Sequence, residues 1–343
     1  MQRDFIEFRA FIEPQQGARY ANQIAVAQSA EQLGFAAFFR SDHYLAMSGD
    51  GIPGPTDSWV TLGAIARETS SIRLGTLVTS TTFRHPGPLA IAVAQVDEMS
   101  AGRVEFGLGS GWFEKEHQAY GIPFPPCGSD SIGSANSWPS SRDCGRPNQV
   151  GPSTTAGSIT PSPAHQRCPN RRSEFNVPFA SIDVAEKQYQ RVAQAVAVAG
   201  RPDDSMVYSS AFLLCAGRRD REVARRAAAI GRDLDELRSN SPLVGTPAEI
   251  VDDLGAWKQI GVQRVYAQLL DLTDLALLVW YSACGGYAST ARCHHCSRSG
   301  PSSSRALSVT TFSPSCSVTS GWAFRLKYHD GCAGAPPFDA TMA

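Results

Sequence analysis

The sequence predicts a parallel α/β fold, either doubly wound or closed into a barrel. Short apolar runs rich in Val, Ile and Phe alternate with stretches of helical periodicity along most of the chain. Such alternation builds a parallel sheet flanked by helices. Glycines at Gly34, Gly200 and Gly261 follow the last periodic residue of a helix, where a left-handed stop is expected.

The elements run in order. Residues 4–12 (DFIEFRAFI) read as a strand and 18–33 as a helix stopped by Gly34. FAAFFR (35–40) is a short buried strand leading into Ser41-Asp42-His43. Residues 57–70 are helical, and 71–80 form a strand ending in Thr and Ser. Pro86, tolerated in a first turn, opens a helix to about Ser100. RVEFGLGSG (103–111) is a strand running into a Gly-rich turn, and 113–121 is a helical piece. Further on, EFNVPFA (174–180) is a strand, and Asp183 N-caps a helix to Ala199 with Glu186 at the capping-box position. Residues 206–217 form a strand and 220–231 a helix. Thr246-Pro247-Ala248-Glu249 is a capping box, and Ile250, Leu254 and Trp257 recur along the face of the helix it opens. VQRVYAQLLD (262–271) is the last strand. Seven strands is one short of a barrel's eight, and the missing one would fall between 126 and 174.

Two stretches break this rhythm. Residues 127–173 and 281–343 hold eight of the nine cysteines but only Asp130, Asp143, Asp330 and Asp339 of the 32 acidic residues. Both are rich in Ser, Pro, Gly and Arg, a composition that buries too little apolar surface to offset ordering entropy. Disulfide-bearing insertions, disordered linkers and out-of-frame translation compete as explanations. The abrupt edges and well-patterned flanks favour the third. The expected organisation is 1–126 and 174–280 as two halves of one fold, 127–173 as an irregular insert and 281–343 as an irregular tail.

A net charge of −1 excludes the basic excess of a nucleic-acid binder. No run of roughly 18 apolar residues marks a membrane span. The N-terminus has no long apolar segment of the secretory type, so a cytoplasmic protein acting on a small molecule is expected.

SDHY (41–44), the stretch from TLVTSTTFRHPG to WFEKEHQAYGIPFP (76–125), and FNVPFA (175–180) resemble the bacterial luciferase-like monooxygenase superfamily, its coenzyme F420 (deazaflavin) oxidoreductases in particular. The resemblance covers about 1–126 and 174–274. It implies a TIM-type (β/α)8 barrel, incomplete at strand five and at the last helix, with F420 or FMN at the C-terminal strand ends. The implied activity is hydride transfer to or from a small organic substrate. FMN-dependent monooxygenation is the alternative, and a non-catalytic barrel remnant with a disrupted cofactor site is an alternative of another class. A homodimer is implied because members are often dimeric. Members hold the cofactor phosphate on a strand-five Gly-rich segment. Nothing like it lies between 126 and 174, so weak cofactor binding and poor folding are expected.

Individual residues carry two readings each. Asp42 and His43 end a strand, where a His of near-neutral pKa can move a proton, or the pair can simply cap a helix. The resemblance places a His here in the active site and Asp42 at the cofactor. Thr79 and Ser80 are strand-end hydroxyls that cap a turn or, as the resemblance implies, meet the cofactor ring. Gly107, Gly109 and Gly111 spell G-x-G-x-G, not the dinucleotide fingerprint. They serve a tight turn, or let backbone approach the cofactor. Glu116 is a solvated helix carboxylate or the family's recurrent catalytic acid. Asn176 is a cofactor contact by resemblance alone. Cys293-His294-His295-Cys296 lacks a second ligand pair, so no metal is expected. His85 reads as structural.

Overall fold

The computed structural model describes residues 6–47, 49–109, 111–124 and 173–279. All of these lie within one unit, Met1–His295. The insert and tail expected at 127–173 and 281–343, and the Cys293–Cys296 motif with them, fall outside the described residues apart from Ser173.

The chain begins with β1 (Glu7–Ile12), α1 (Tyr20–Gln32), β2 (Ala37–Arg40) and α2 (Ser58–Glu68). It continues through β3 (Arg73–Thr76), β4 (Thr79–Ser80), α3 (Pro86–Met99), β5 (Val104–Glu105), β6 (Leu108–Gly109) and α4 (Glu114–Tyr120). After the undescribed stretch come β7 (Ser173–Pro178), a helix over Ile182–Val198 (α5), β8 (Met206–Leu213) and β9 (Cys215–Ala216). Helices over Asp220–Ala229 (α6) and Leu234–Asn240 (α7), then β10 (Val244–Gly245), a helix over Pro247–Gln259 (α8) and β11 (Arg264–Leu269) follow, and the described residues end in a helical turn at 276–279.

Seven strands form one sheet in the order β5-β3-β2-β1-β11-β8-β7, and every pairing is parallel. The first strand pairs with both the second and the last: Phe11 stands opposite Phe39 on β2 and Gln268 on β11. That closure belongs to a barrel, not to a doubly wound sheet. Read in barrel order, only the fifth position, between β5 and β7, has no strand among the described residues.

Two apolar layers follow from strand alternation. Ala10, Ile12, Phe38, Leu74 and Val265 face outward against helix residues such as Val26, Leu62 and Ile250. Phe11, Ala37, Phe39, Ala211 and Tyr266 face inward as a second cluster. Below that inner cluster, toward the strand N-termini, the barrel is filled with charge. Arg9, fully buried, lies 5.4 Å from both the Phe39 and Tyr266 rings and pairs with Glu7 and Glu105. Arg264 reaches Glu174 at 2.6 Å and Glu105 at 3.9 Å. These arginines therefore link the two strands that flank the gap.

Local signals account for most element ends. Asp57 caps α2 by accepting from the Trp59 and Val60 amides. The box at Thr246 forms as read, with the Thr246 amide donating to Glu249 at 2.7 Å. Ile250, Leu254 and Trp257 are buried, and each such side chain contributes roughly 1.5–3 kcal/mol of transfer free energy. Three readings need correction. The N-cap of α5 is Ser181, and Asp183 sits in the first turn, where its charge still suits the helix dipole. The strands read over 71–80, 103–111 and 206–217 each break in two, and their outer pieces pair outside the main sheet, β4 with β6 and β9 with β10. Helix α7, capped by Asp233, is an element the sequence reading did not include. No described helix is long and apolar enough to cross a membrane.

Candidate active site

The C-terminal strand ends bring together Glu13 after β1, Asp42 and His43 after β2, Thr79 and Ser80 on β4, and Gln268 on β11. Glu116 on α4 joins them. In barrel enzymes this is the catalytic face.

The central contact joins His43 to Glu116, with Nδ1 2.8 Å from Oε1. Glu116 is 1% exposed, which rules out the solvated-carboxylate reading. Its other oxygen accepts from the Tyr44 and Leu45 amides at 3.0 and 3.4 Å. The carboxylate thus grips both the imidazole and the backbone that follows it. The His43 side chain remains 20% exposed. Trp112 and Phe113 meet its ring edge-on, with centroids at 5.8 and 6.2 Å.

Glu13 supplies a second carboxyl. Burial pushes its pKa up, against the opposing pull of His43 and of the hydrogen bond from Gln268. The Gln268 amide donates to it at 2.7 Å. The sequence reading singled out neither Glu13 nor Gln268. They lie 255 residues apart and meet only because the first and last strands pair.

Asp42 is fully engaged by the protein. Arg84 grips it bidentately at 2.6 and 2.9 Å, the Ser58 hydroxyl donates at 2.6 Å and the Ser80 amide at 3.2 Å. Arg84 also reaches Asp57 and the Tyr44 hydroxyl, both at 2.6 Å. Burial alone would lower the Arg84 pKa, but Asp42 and Asp57 outweigh it and the shift is upward. Arg84 therefore ties together the ends of β2 and β4 and the start of α2. Beside it, fully buried Arg40 donates to Gln23, Ser41 and Thr56, and burial lowers its pKa to about 10.

The hydroxyls of Thr79 and Ser80 also turn inward. Thr79 Oγ1 accepts from Trp59 Nε1 at 3.2 Å and lies 2.7 Å from Thr76 Oγ1. Ser80 Oγ lies 2.7 Å from Thr82 Oγ1, which in turn meets His117 Nε2 at 2.6 Å. The glycines let β6 lie against β4: a Cβ at Gly107 would strike the Thr76 carbonyl, and one at Gly109 the Val78 side chain. Gly111 adopts φ +78°, and a Cβ there would come within 2.9 Å of the Ser80 and Thr82 hydroxyls. Asn176 donates to Ser209 at 2.9 Å inside the barrel. No group of metal-ligating side chains occurs among the described residues.

Residues 5–126 match the model of a known family, the luciferase-like monooxygenases. The F420-dependent glucose-6-phosphate dehydrogenase of Beutenbergia cavernae is 40% identical over 105 residues, 30% of this chain and 30% of that protein. The chain spans only 24–40% of the length of the curated relatives it matches. Two solved structures share the fold. Monooxygenase RslO1 from Streptomyces bottropensis aligns with a TM-score of 0.62 at 17% identity, covering 81% of this chain and 98% of that one. An F420-dependent secondary alcohol dehydrogenase holding an F420-acetone adduct aligns at 0.64 and 14%, covering 83% and 98%. The fold is therefore that of the luciferase-like TIM barrels, lacking the fifth strand among the described residues.

Proposed function

We propose that this protein is an oxidoreductase that seats a deazaflavin or flavin ring at the C-terminal strand ends and moves a proton through His43. The observation that carries this reading is the His43–Glu116 contact at the strand ends, where Glu13 and Gln268 also meet. The donor set fits such a ring. Its pyrimidine edge both donates and accepts hydrogen bonds, and Glu13, Gln268 and His43 offer both kinds of partner within one cluster. When bound, the ring supplies two-electron hydride chemistry.

The chain's own residues do the rest. Glu116 holds His43 through Nδ1, which leaves Nε2 as the nitrogen that gives or takes the substrate proton. Asp42, with both oxygens committed to Arg84, Ser58 and Ser80, positions the strand ends and does not contact ligand. Thr79, Gly107 and Gly109 shape the wall in the same indirect way. Ser80 and the backbone near Gly111 are the cofactor-facing candidates of that wall. The sequence of F420-dependent relatives favours the deazaflavin over FMN.

Titration of the full-length protein with F420 and, separately, with FMN tests the reading. Saturable binding of either, followed by loss of turnover but retained binding in His43→Ala, is the expected result. Binding of neither cofactor would remove the proposal and favour a non-catalytic barrel.

A further inference from the structure

Trp112 is the most exposed large aromatic side chain at the barrel mouth. Its residue is 66% exposed, although it lies 5.8 Å from the His43 ring and stacks at 5.3 Å on Phe113. Its place in the chain is nonetheless fixed. Gly111 enters it at φ +78° with no room for a Cβ, and Phe113 is tied to α4 by accepting from His117 Nδ1 at 2.9 Å. Leaving an indole in water forfeits the transfer free energy of a large apolar surface. A solvent-facing indole held beside an oriented imidazole is the arrangement of a ligand-contacting wall.

Charge narrows what that ligand is. The groups in contact with His43 are the carboxyl of Glu116 and the rings of Trp112 and Phe113. None of these is cationic. The nearby guanidinium of Arg84 is already committed to Asp42 and Asp57. An anionic group placed beside His43 would meet the buried Glu116 carboxylate and two aromatic rings, and the imidazole there is already engaged by that carboxylate, which penalises phosphorylated and carboxylated substrates.

We propose that Trp112 and Phe113 form the substrate-facing wall of this site and that it selects neutral molecules with an apolar or aromatic body over anionic ones. This rests on the reading of the His43 cluster as an active site, but its test does not need the cofactor. Benzyl alcohol and benzoate serve as a matched neutral and anionic probe pair, with binding to the full-length protein followed by saturation-transfer NMR, with and without F420 present. Benzyl alcohol is expected to bind more tightly than benzoate by about tenfold. Trp112→Ala should weaken benzyl alcohol by about fivefold, and Trp112→Phe should restore most of that loss. The exposed position means neither variant disturbs the core, which retained thermal melting would verify. Equal binding of benzoate, indifference of benzyl alcohol to Trp112→Ala, or binding of neither probe would overturn the proposal. Probe binding that depends on Trp112 in a protein that takes up neither F420 nor FMN would keep this wall and discard the redox reading.

Discussion

Glu116 Oε1 stands 2.8 Å from His43 Nδ1, and the same carboxylate takes up the two amides that follow the histidine. One buried group thus fixes the imidazole's tautomer and the path of the loop that carries it. The two functions separate by substitution. His43→Ala removes the proton carrier and should lower turnover by about 10²–10⁴-fold; it leaves the buried Glu116 carboxylate on the Tyr44 and Leu45 amides alone, so it should cost some stability, but less than Glu116→Ala. Glu116→Ala should lower turnover as well. It also strands the Tyr44 and Leu45 amides, at a cost of about 1–3 kcal/mol. Turnover set against urea midpoints for the two variants checks this: equal stability loss in both would contradict it.

Arg84 offers a sharper stability test. Asp42 is buried, and the guanidinium is its only cationic partner among the described contacts. Removing one member of a buried pair leaves the other charge uncompensated, so Arg84→Ala should cost about 3–5 kcal/mol. Replacing both, as Asp42→Asn with Arg84→Gln, should recover part of that loss. Denaturant unfolding of the single and double variants measures the coupling, and simple additivity would count against it.

At Gly111 both backbone and space oppose a side chain. Gly111→Ala adds the left-handed strain of roughly 1–2 kcal/mol to a contact with two hydroxyls at 2.9 Å. It should therefore destabilise the protein more than Gly34→Ala, where φ is also positive but nothing lies within 4 Å. Comparing the two melting temperatures isolates the steric part.

Much of this barrel could be read from the chain, because its signals are local. The alternation of strands and helices, the left-handed stops at Gly34, Gly200 and Gly261 and the box at Thr246 each lie within a few residues and survive folding unchanged. Asp183 shows the limit of such signals: it has the right chemistry for a helix start, but the helix begins earlier, at Ser181. Strand breaks at β3/β4, β5/β6 and β8/β9 were illegible because both halves are extended and the change of pairing partner is set by strands distant in sequence. Asp233 and Glu236 did carry a helix-start pattern for α7, which could have been found. Of the proposed site, His43 and Glu116 were singled out by the resemblance, and the structure brings these two side chains together. Arg84 was not legible, since its acidic partners lie 42 and 27 residues away. Nor was the burial of Glu116, which depends on packing that a seven-residue helix does not announce.

The charged end of the barrel sets the acid limit of stability. Burial alone would raise the Glu105 pKa, but Arg9, Arg73 and Arg264 together hold it down at about 2, against an ordinary 4.5. A carboxylate depressed in the folded state stabilises the fold fully above its unfolded pKa. That contribution fades as pH falls from about 4.5 toward 2. It amounts to something on the order of 3 kcal/mol at neutral pH. Because Glu105 and Glu174 sit on the strands that flank the open position and share Arg264, this loss should loosen that edge first. Glu105→Gln should therefore destabilise the protein at pH 7 and flatten the fall in unfolding free energy between pH 5 and pH 2. Urea titrations across that range, run on both forms, would show parallel acid limbs if the carboxylate played no such role.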